Sequence, residues 1–148
     1  MKIPFCDLTR QSNKEIRLAI SKVVRSGKYI QDEEVSRFEQ NFAEYHNKKY
    51  CISVANGTDA LTLALKAHDI GKDDKVLVPA MTFIATPLAV MRCGAVPVFV
   101  DVDRDYTSNV RIGDFENKYP MAINVDLYGI KALWETKIKD CCQSAGIL

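Results

Sequence analysis

The sequence predicts an α/β fold in which a mostly parallel sheet is flanked by helices, and three observations predict it. From residue 50 onward, short β-rich runs (YCISV, KVLVP, VPVFVD, AINVDL) alternate with segments of helical period. The junctions carry cap and turn residues, with Asn56-Gly57-Thr58 before one helix, Thr86-Pro87 at the start of another and Cys93-Gly94 at its end. No repeat, low-complexity tract or Pro/Gly/Ser linker divides the chain, so the alternation belongs to one continuous unit. Strand and helix in regular succession are what a parallel sheet requires, because each return to a parallel neighbour needs a crossover.

Taken in order, the first helix is expected near Ser12, where Ser12-Asn13-Lys14-Glu15 has capping-box spacing. Ile16, Ala19, Ile20 and Val23 supply its apolar stripe, and Gly27 ends it. A second stripe, Val35, Phe38, Phe42 and Tyr45, repeats with helical spacing, and both helices are expected to face the core. YCISV reads as a buried strand, Thr58 to His68 as a helix and KVLVP as the next strand. A further helix starts near Thr86 with Thr86 as N-cap, Pro87 in its first turn and Cys93-Gly94 as its stop.

The stretch VANGTDALTLALKAH sets a strand end, a glycine-containing turn and a helix start side by side. Gly57 allows close backbone approach or a positive φ, and the free N–H groups of a helix start point outward with the positive end of the dipole, which suits a phosphate. Thr58 adds a hydroxyl donor, and Asp59 favours the helix through its dipole without touching a ligand. The segment also reads as a plain Asn-Gly connection, and it lacks both GxGxxG and GxxxxGK[ST], which argues against a dinucleotide or P-loop site.

Composition narrows the function. The chain has 148 residues, 47% hydrophobic and 26% charged, enough to bury a core. A net charge of +1 gives no electrostatic reason to expect nucleic acid or an anionic membrane. No apolar run approaches the roughly 20 residues of a membrane span, and MKIPFCDLTRQ has no apolar h-region, so the cytoplasm is the expected compartment. Five scattered cysteines without metal spacing predict reduced thiols and no metal site.

Read together, GKYIQDEEVSRFEQNFAEYH, VANGTDALTLAL, VPAMTFIATPLAVMRCGAVPVFVDVD and DLYG resemble, in order and nearly in spacing, the N-terminal part of the DegT/DnrJ/StrS-type sugar aminotransferases. The resemblance runs from about residue 3 to residue 129. It implies the aspartate-aminotransferase fold, an incomplete large domain of a fold type I enzyme, and pyridoxal 5′-phosphate as cofactor. Gly57 and Thr58 match the family's phosphate-binding turn, and Phe83 matches the aromatic residue that stacks on the pyridine ring. DCCQSAG resembles the acidic-x-x-Gln-small stretch, which gives Asp140 the pyridinium nitrogen and Gln143 the ring oxygen. By themselves, Phe83 reads as a core residue and Asp140 as a solvated surface charge.

The sequence departs from the family's pattern twice. Only IKALWETKIK separates Gly129 from Asp140, where the family has a helix and the start of a strand; a parallel crossover needs about a dozen residues or more. Nor does any lysine here follow the motif of the one that forms the Schiff base, so no catalytic residue is assigned and the chain alone is expected to be inactive. The small domain and the rest of the large domain are likewise expected to be absent, leaving an open sheet edge and low stability or dependence on a partner.

Three readings follow. The resemblance implies transfer of an amino group from an amino acid, glutamate, to a keto-sugar nucleotide, for polysaccharide or amino-sugar biosynthesis, by a homodimer or with a complementing polypeptide. A non-catalytic module that pairs with a full-length homologue is the second. An unrelated nucleotide-binding α/β domain is the third, disfavoured by the missing glycine-rich signatures.

Overall fold

The computed structural model describes residue 9 and residues 12–104 and 119–130. The chain divides into two compact units, Met1–Ser53 and Val54–Leu148.

The first unit holds α1 (Lys14–Ser26) and α2 (Glu33–Tyr45). The cap of α1 lies one residue later than the capping box predicts. Asn13 is the N-cap, its side chain accepting from the Ile16 amide at 2.9 Å, while the Ser12 hydroxyl accepts from the Arg17 guanidinium at 3.2 Å. Gly27 ends the helix as expected, with φ +67, which a side chain would oppose, and its N–H bonded to the Val24 carbonyl. Asp32 caps α2. Lys22 and Glu34 pair at 3.1 Å between the helices, and Phe38 stacks on Phe42.

The stripes do not face a core among the described residues. α1 buries no residue and α2 only Ala43. Ile20 is 58% exposed and Phe38 55%. An amphipathic period records a face suited to burial, and a cover has to come from elsewhere.

The second unit contains α3 (Gly57–Ala67), β1 (Lys75–Pro79), α4 (Ala85–Arg92), β2 (Val96–Val100), β3 (Met121–Ala122) and a 3₁₀ turn at Leu127–Gly129. The strands are parallel in the order β2-β1-β3, with Leu77 opposite both Val98 and Ala122. A strand with neighbours on both sides can be apolar throughout, and Val76, Leu77, Val78 and Pro79 are all buried. Val76 and Val78, two residues apart and so on one face, pack with Leu61 and Leu65 of α3, Ala89 and Val90 of α4, and Ile123.

Three local expectations change. YCISV is not a strand: Tyr50 and Ile52 are 72% and 81% exposed, and no described residue supplies the neighbouring ladder that would make it one. Of AINVDL only Ala122 joins the ladder, together with the preceding Met121, and the Ile123 amide extends it by donating to the Leu77 carbonyl at 2.9 Å. α4 starts at Ala85, so Thr86 lies inside the first turn and is not its cap. Thr86 is buried, its hydroxyl 2.9 Å from that of Thr82. Pro87 does sit in the first turn, where a missing N–H costs no intrahelical bond, and Gly94, at φ +81, follows the helix as its stop.

Candidate functional site

The first turn of α3 is built by its own sequence. Asn56, in extended conformation, caps the helix by accepting the Asp59 amide at 2.9 Å, and its side-chain amide donates to the Asp59 carboxylate at 2.9 Å. The Asn56 carbonyl accepts the Ala60 amide, beginning the intrahelical ladder. Gly57 and Thr58 therefore stand ahead of that ladder, and no acceptor among the described residues takes either amide. The Thr58 carbonyl is engaged by the Thr62 hydroxyl at 2.8 Å.

Gly57 does not use a positive φ. What its missing side chain provides is room, since a Cβ there would meet nothing within 4 Å and the residue is exposed. Two amides without an acceptor among the described residues, a neighbouring hydroxyl and open space at Gly57 are the donor set that a helix start offers an anion, and the helix dipole adds to its positive character.

The other oxygen of Asp59 accepts from the Arg92 guanidinium at 2.9 Å, which ties the first turn of α3 to the last turn of α4. Nearby, the Cys93 thiol lies 3.5 Å from the Thr62 carbonyl. With side chains 39% and 48% exposed, the Asp59–Arg92 pair contributes about 0–1 kcal/mol to stability. Sequence reasoning missed Arg92. A basic residue in the last turn of a helix signals only dipole complementation, and its partner lies 33 residues away.

Phe83 occupies the loop between β1 and α4, two residues ahead of the helix, and is 71% exposed. The reading of Phe83 as core is thereby excluded. The flanking Met81 and Ile84 are also exposed, so the loop presents an apolar surface just beyond the carboxyl end of β1, the edge at which open α/β sheets receive ligands. Beyond β3, Asn124 keeps a buried side-chain oxygen with no partner among the described residues, while its amide lies 3.4 Å from Asp126. Tyr128 and Gly129 of DLYG turn at φ +56 and +80.

Hydrogen bonds and an ion pair thus join Asn56, Asp59 and Arg92 around Gly57 and Thr58, whereas Phe83 stands before the opposite end of α4. Asp140 and Gln143 lie outside the described residues, as do Trp134, Cys6, Cys141 and Cys142. Cys51 and Cys93 carry free thiols. Among the described residues no group of acidic, histidine or cysteine side chains could hold a metal ion, and no helix is long and apolar enough to cross a membrane.

Comparison with known proteins agrees with this fold. The model of the DegT/DnrJ/EryC1/StrS aminotransferase family matches residues 10–147. The chain is 42% identical to dTDP-3-amino-3,6-dideoxy-alpha-D-galactopyranose transaminase of Aneurinibacillus thermoaerophilus over 99% of its length and 45% of the relative's. That alignment extends over 165 positions although the chain has 148 residues, so the relative holds residues that this chain lacks between matched segments. Among solved structures, the chain is similar to a DegT DnrJ EryC1 StrS aminotransferase from Brucella abortus (TM-score 0.80, 38% identity), covering 98% of this chain and 42% of that one. It is also similar to NtdA from Bacillus subtilis with bound cofactor PMP (TM-score 0.70, 29% identity), covering 86% of this chain and 31% of that one. The chain spans less than half the length of each.

Proposed function

The chain belongs to the DegT/DnrJ/EryC1/StrS aminotransferase family, and from that membership we propose that it is the phosphate-binding segment of a pyridoxal-phosphate-dependent sugar-nucleotide aminotransferase. The complete enzyme moves an amino group from an amino acid, glutamate, to a keto-sugar nucleotide, for polysaccharide or amino-sugar biosynthesis in the cytoplasm.

One observation supports the reading: the Gly57 and Thr58 amides have no acceptor among the described residues at a helix start, and the space around the Gly57 Cα is open. That donor set fits a phosphate dianion. The two amides and the Thr58 hydroxyl hold it, with no basic side chain required. The Phe83 ring, exposed and flat, supplies a stacking face. Asp140 takes the pyridinium nitrogen and Gln143 the ring oxygen. When bound, the cofactor supplies an electron sink, and a carboxylate at its ring nitrogen preserves that property by keeping the nitrogen protonated.

None of the lysines among these residues carries the family's Schiff-base motif, so this segment holds the phosphate and the remaining part of the family fold, supplied in the test by a complementing polypeptide, provides the amine. The test is to mix the chain with a polypeptide bearing the remaining half of the family fold and follow glutamate-dependent amination of a keto-sugar nucleotide. Activity in the mixture and in neither part alone is expected. Inactivity of the mixture, with both parts folded, would remove the enzymatic reading.

A second reading rests on the exposed apolar residues of α1 and α2, such as Ile20, Val24 and Phe38. They suit a non-catalytic module that pairs with a full-length homologue. Co-purification with a full-length homologue, without amination by the chain plus complement, selects it.

A further inference from the structure

Arg92 has no direct place in the phosphate cup, yet it is the residue on which the cup's charge depends. Asp59 sits two residues after Gly57, so its carboxylate lies within one helical turn of any dianion held by the Gly57 and Thr58 amides. A bare carboxylate there stabilises the helix but repels the ligand. The two effects have the same origin in charge and opposite consequences for function.

The carboxylate is not bare. One oxygen receives the Asn56 side-chain amide and the other the Arg92 guanidinium, each at 2.9 Å. The Asn56 contact is neutral and only orients the group. Arg92 supplies the compensating positive charge, and it comes from the far end of a different helix.

We propose that Arg92 is a positioning residue of the phosphate site: by neutralising and fixing Asp59 it keeps the first turn of α3 able to accept a dianion. The proposal rests on the reading of Gly57 and Thr58 as the cofactor's phosphate cup. Because the pair is about half exposed, it does little for stability, and its larger consequence is the local potential at the cup.

The test uses the full chain and pyridoxamine 5′-phosphate, which has the phosphate but no aldehyde to react with stray lysines. Binding is followed by fluorescence titration well below the melting temperature, with pyridoxamine as the uncharged-tail control and circular dichroism to establish the fold. R92Q is expected to weaken binding of the phosphate form by roughly threefold to tenfold at low salt, with the loss shrinking as salt screens the carboxylate. R92K should bind nearly as the wild type does, and D59N/R92Q, which removes both charges, should recover most of the loss.

Two results would overturn the proposal alone: R92Q binding as the wild type does, or D59N/R92Q remaining as weak as R92Q. No saturable binding of pyridoxamine 5′-phosphate by the wild-type chain, with the fold intact, would overturn the cup itself and this inference with it.

Discussion

Asn56 and Asp59 hold each other twice: the Asn56 side-chain oxygen accepts the Asp59 amide, and the Asn56 side-chain nitrogen donates to the Asp59 carboxylate, both at 2.9 Å. The reciprocal pair satisfies the third amide of α3 internally, so the two amides ahead of it remain for a ligand. Cap and proposed binding site are therefore one piece of structure. Replacing Asn56 with Ala should cost about 1 kcal/mol of stability, the usual worth of such a cap. It should also weaken phosphate binding, because Asp59 loses one of the two groups that orient it. Urea denaturation and pyridoxamine 5′-phosphate titration check the two effects on the same sample.

Gly57 offers a sharper separation, since stability and binding should move in opposite directions. Its φ is not in the left-handed region and nothing lies within 4 Å of a Cβ built there. Gly57→Ala should be accepted without strain and stabilise the chain by about 0.4–1 kcal/mol, mainly by restricting the unfolded state. In the proposed cup the same methyl stands where the phosphate would approach, so affinity should fall. A variant that melts higher and still binds as tightly as the wild type would remove the close-approach argument for this glycine.

Phe83→Ala tests the stacking role. With the side chain 71% exposed, its removal should change stability by no more than about 0.5 kcal/mol. If the ring lies against the cofactor, pyridoxamine 5′-phosphate should bind roughly twofold to tenfold more weakly, and inorganic phosphate should bind unchanged. Equal losses for both ligands would point to a shifted loop and not to stacking.

How much of this was legible depends on whether a feature is local. KVLVP announces a buried strand, and Cys93-Gly94 announces a helix stop, because the apolar run and the glycine act within a few residues. YCISV carries the same composition and fails to pair, since a strand also needs a neighbour that composition does not mention. Ser12 lost the cap to Asn13 because its hydroxyl found Arg17 instead, a competition between two good caps that spacing alone does not decide. The helix start at Gly57 and Thr58 was legible from the turn, while their phosphate role and the stacking role of Phe83 come from the resemblance and stand as proposals. Arg92 was not, because an ion pair closing over 33 residues leaves no periodic trace.

Thr86 is a buried hydroxyl whose hydrogen-bond partner is Thr82, at 2.9 Å. Thr86→Val keeps the volume and removes that bond, which should cost about 1 kcal/mol. The penalty stays modest because Thr82 is only partly buried and its freed hydroxyl can reach water. In a Thr82→Ala background the same substitution should cost clearly less, as a double-mutant cycle on denaturation would register. An undiminished cost would mean that Thr86 acts through packing alone.

The sheet itself makes the last prediction. β1 is bordered by β2 on one side and β3 on the other, and Leu77 at its centre is 2% exposed, whereas Val96 on β2 is 46% exposed. Leu77→Ala empties a volume that two neighbouring strands hold open, so it should cost about 2–5 kcal/mol. That is a large part of the stability of any small domain, and larger still for a sheet with exposed apolar residues on an outer strand. Val96→Ala removes surface that water already reaches, so its cost should stay within about 0.5 kcal/mol. Denaturation midpoints that ranked the two substitutions equally would mean that β1 is not the central strand of the folded chain, and the edge on which Phe83 is placed would lose its support.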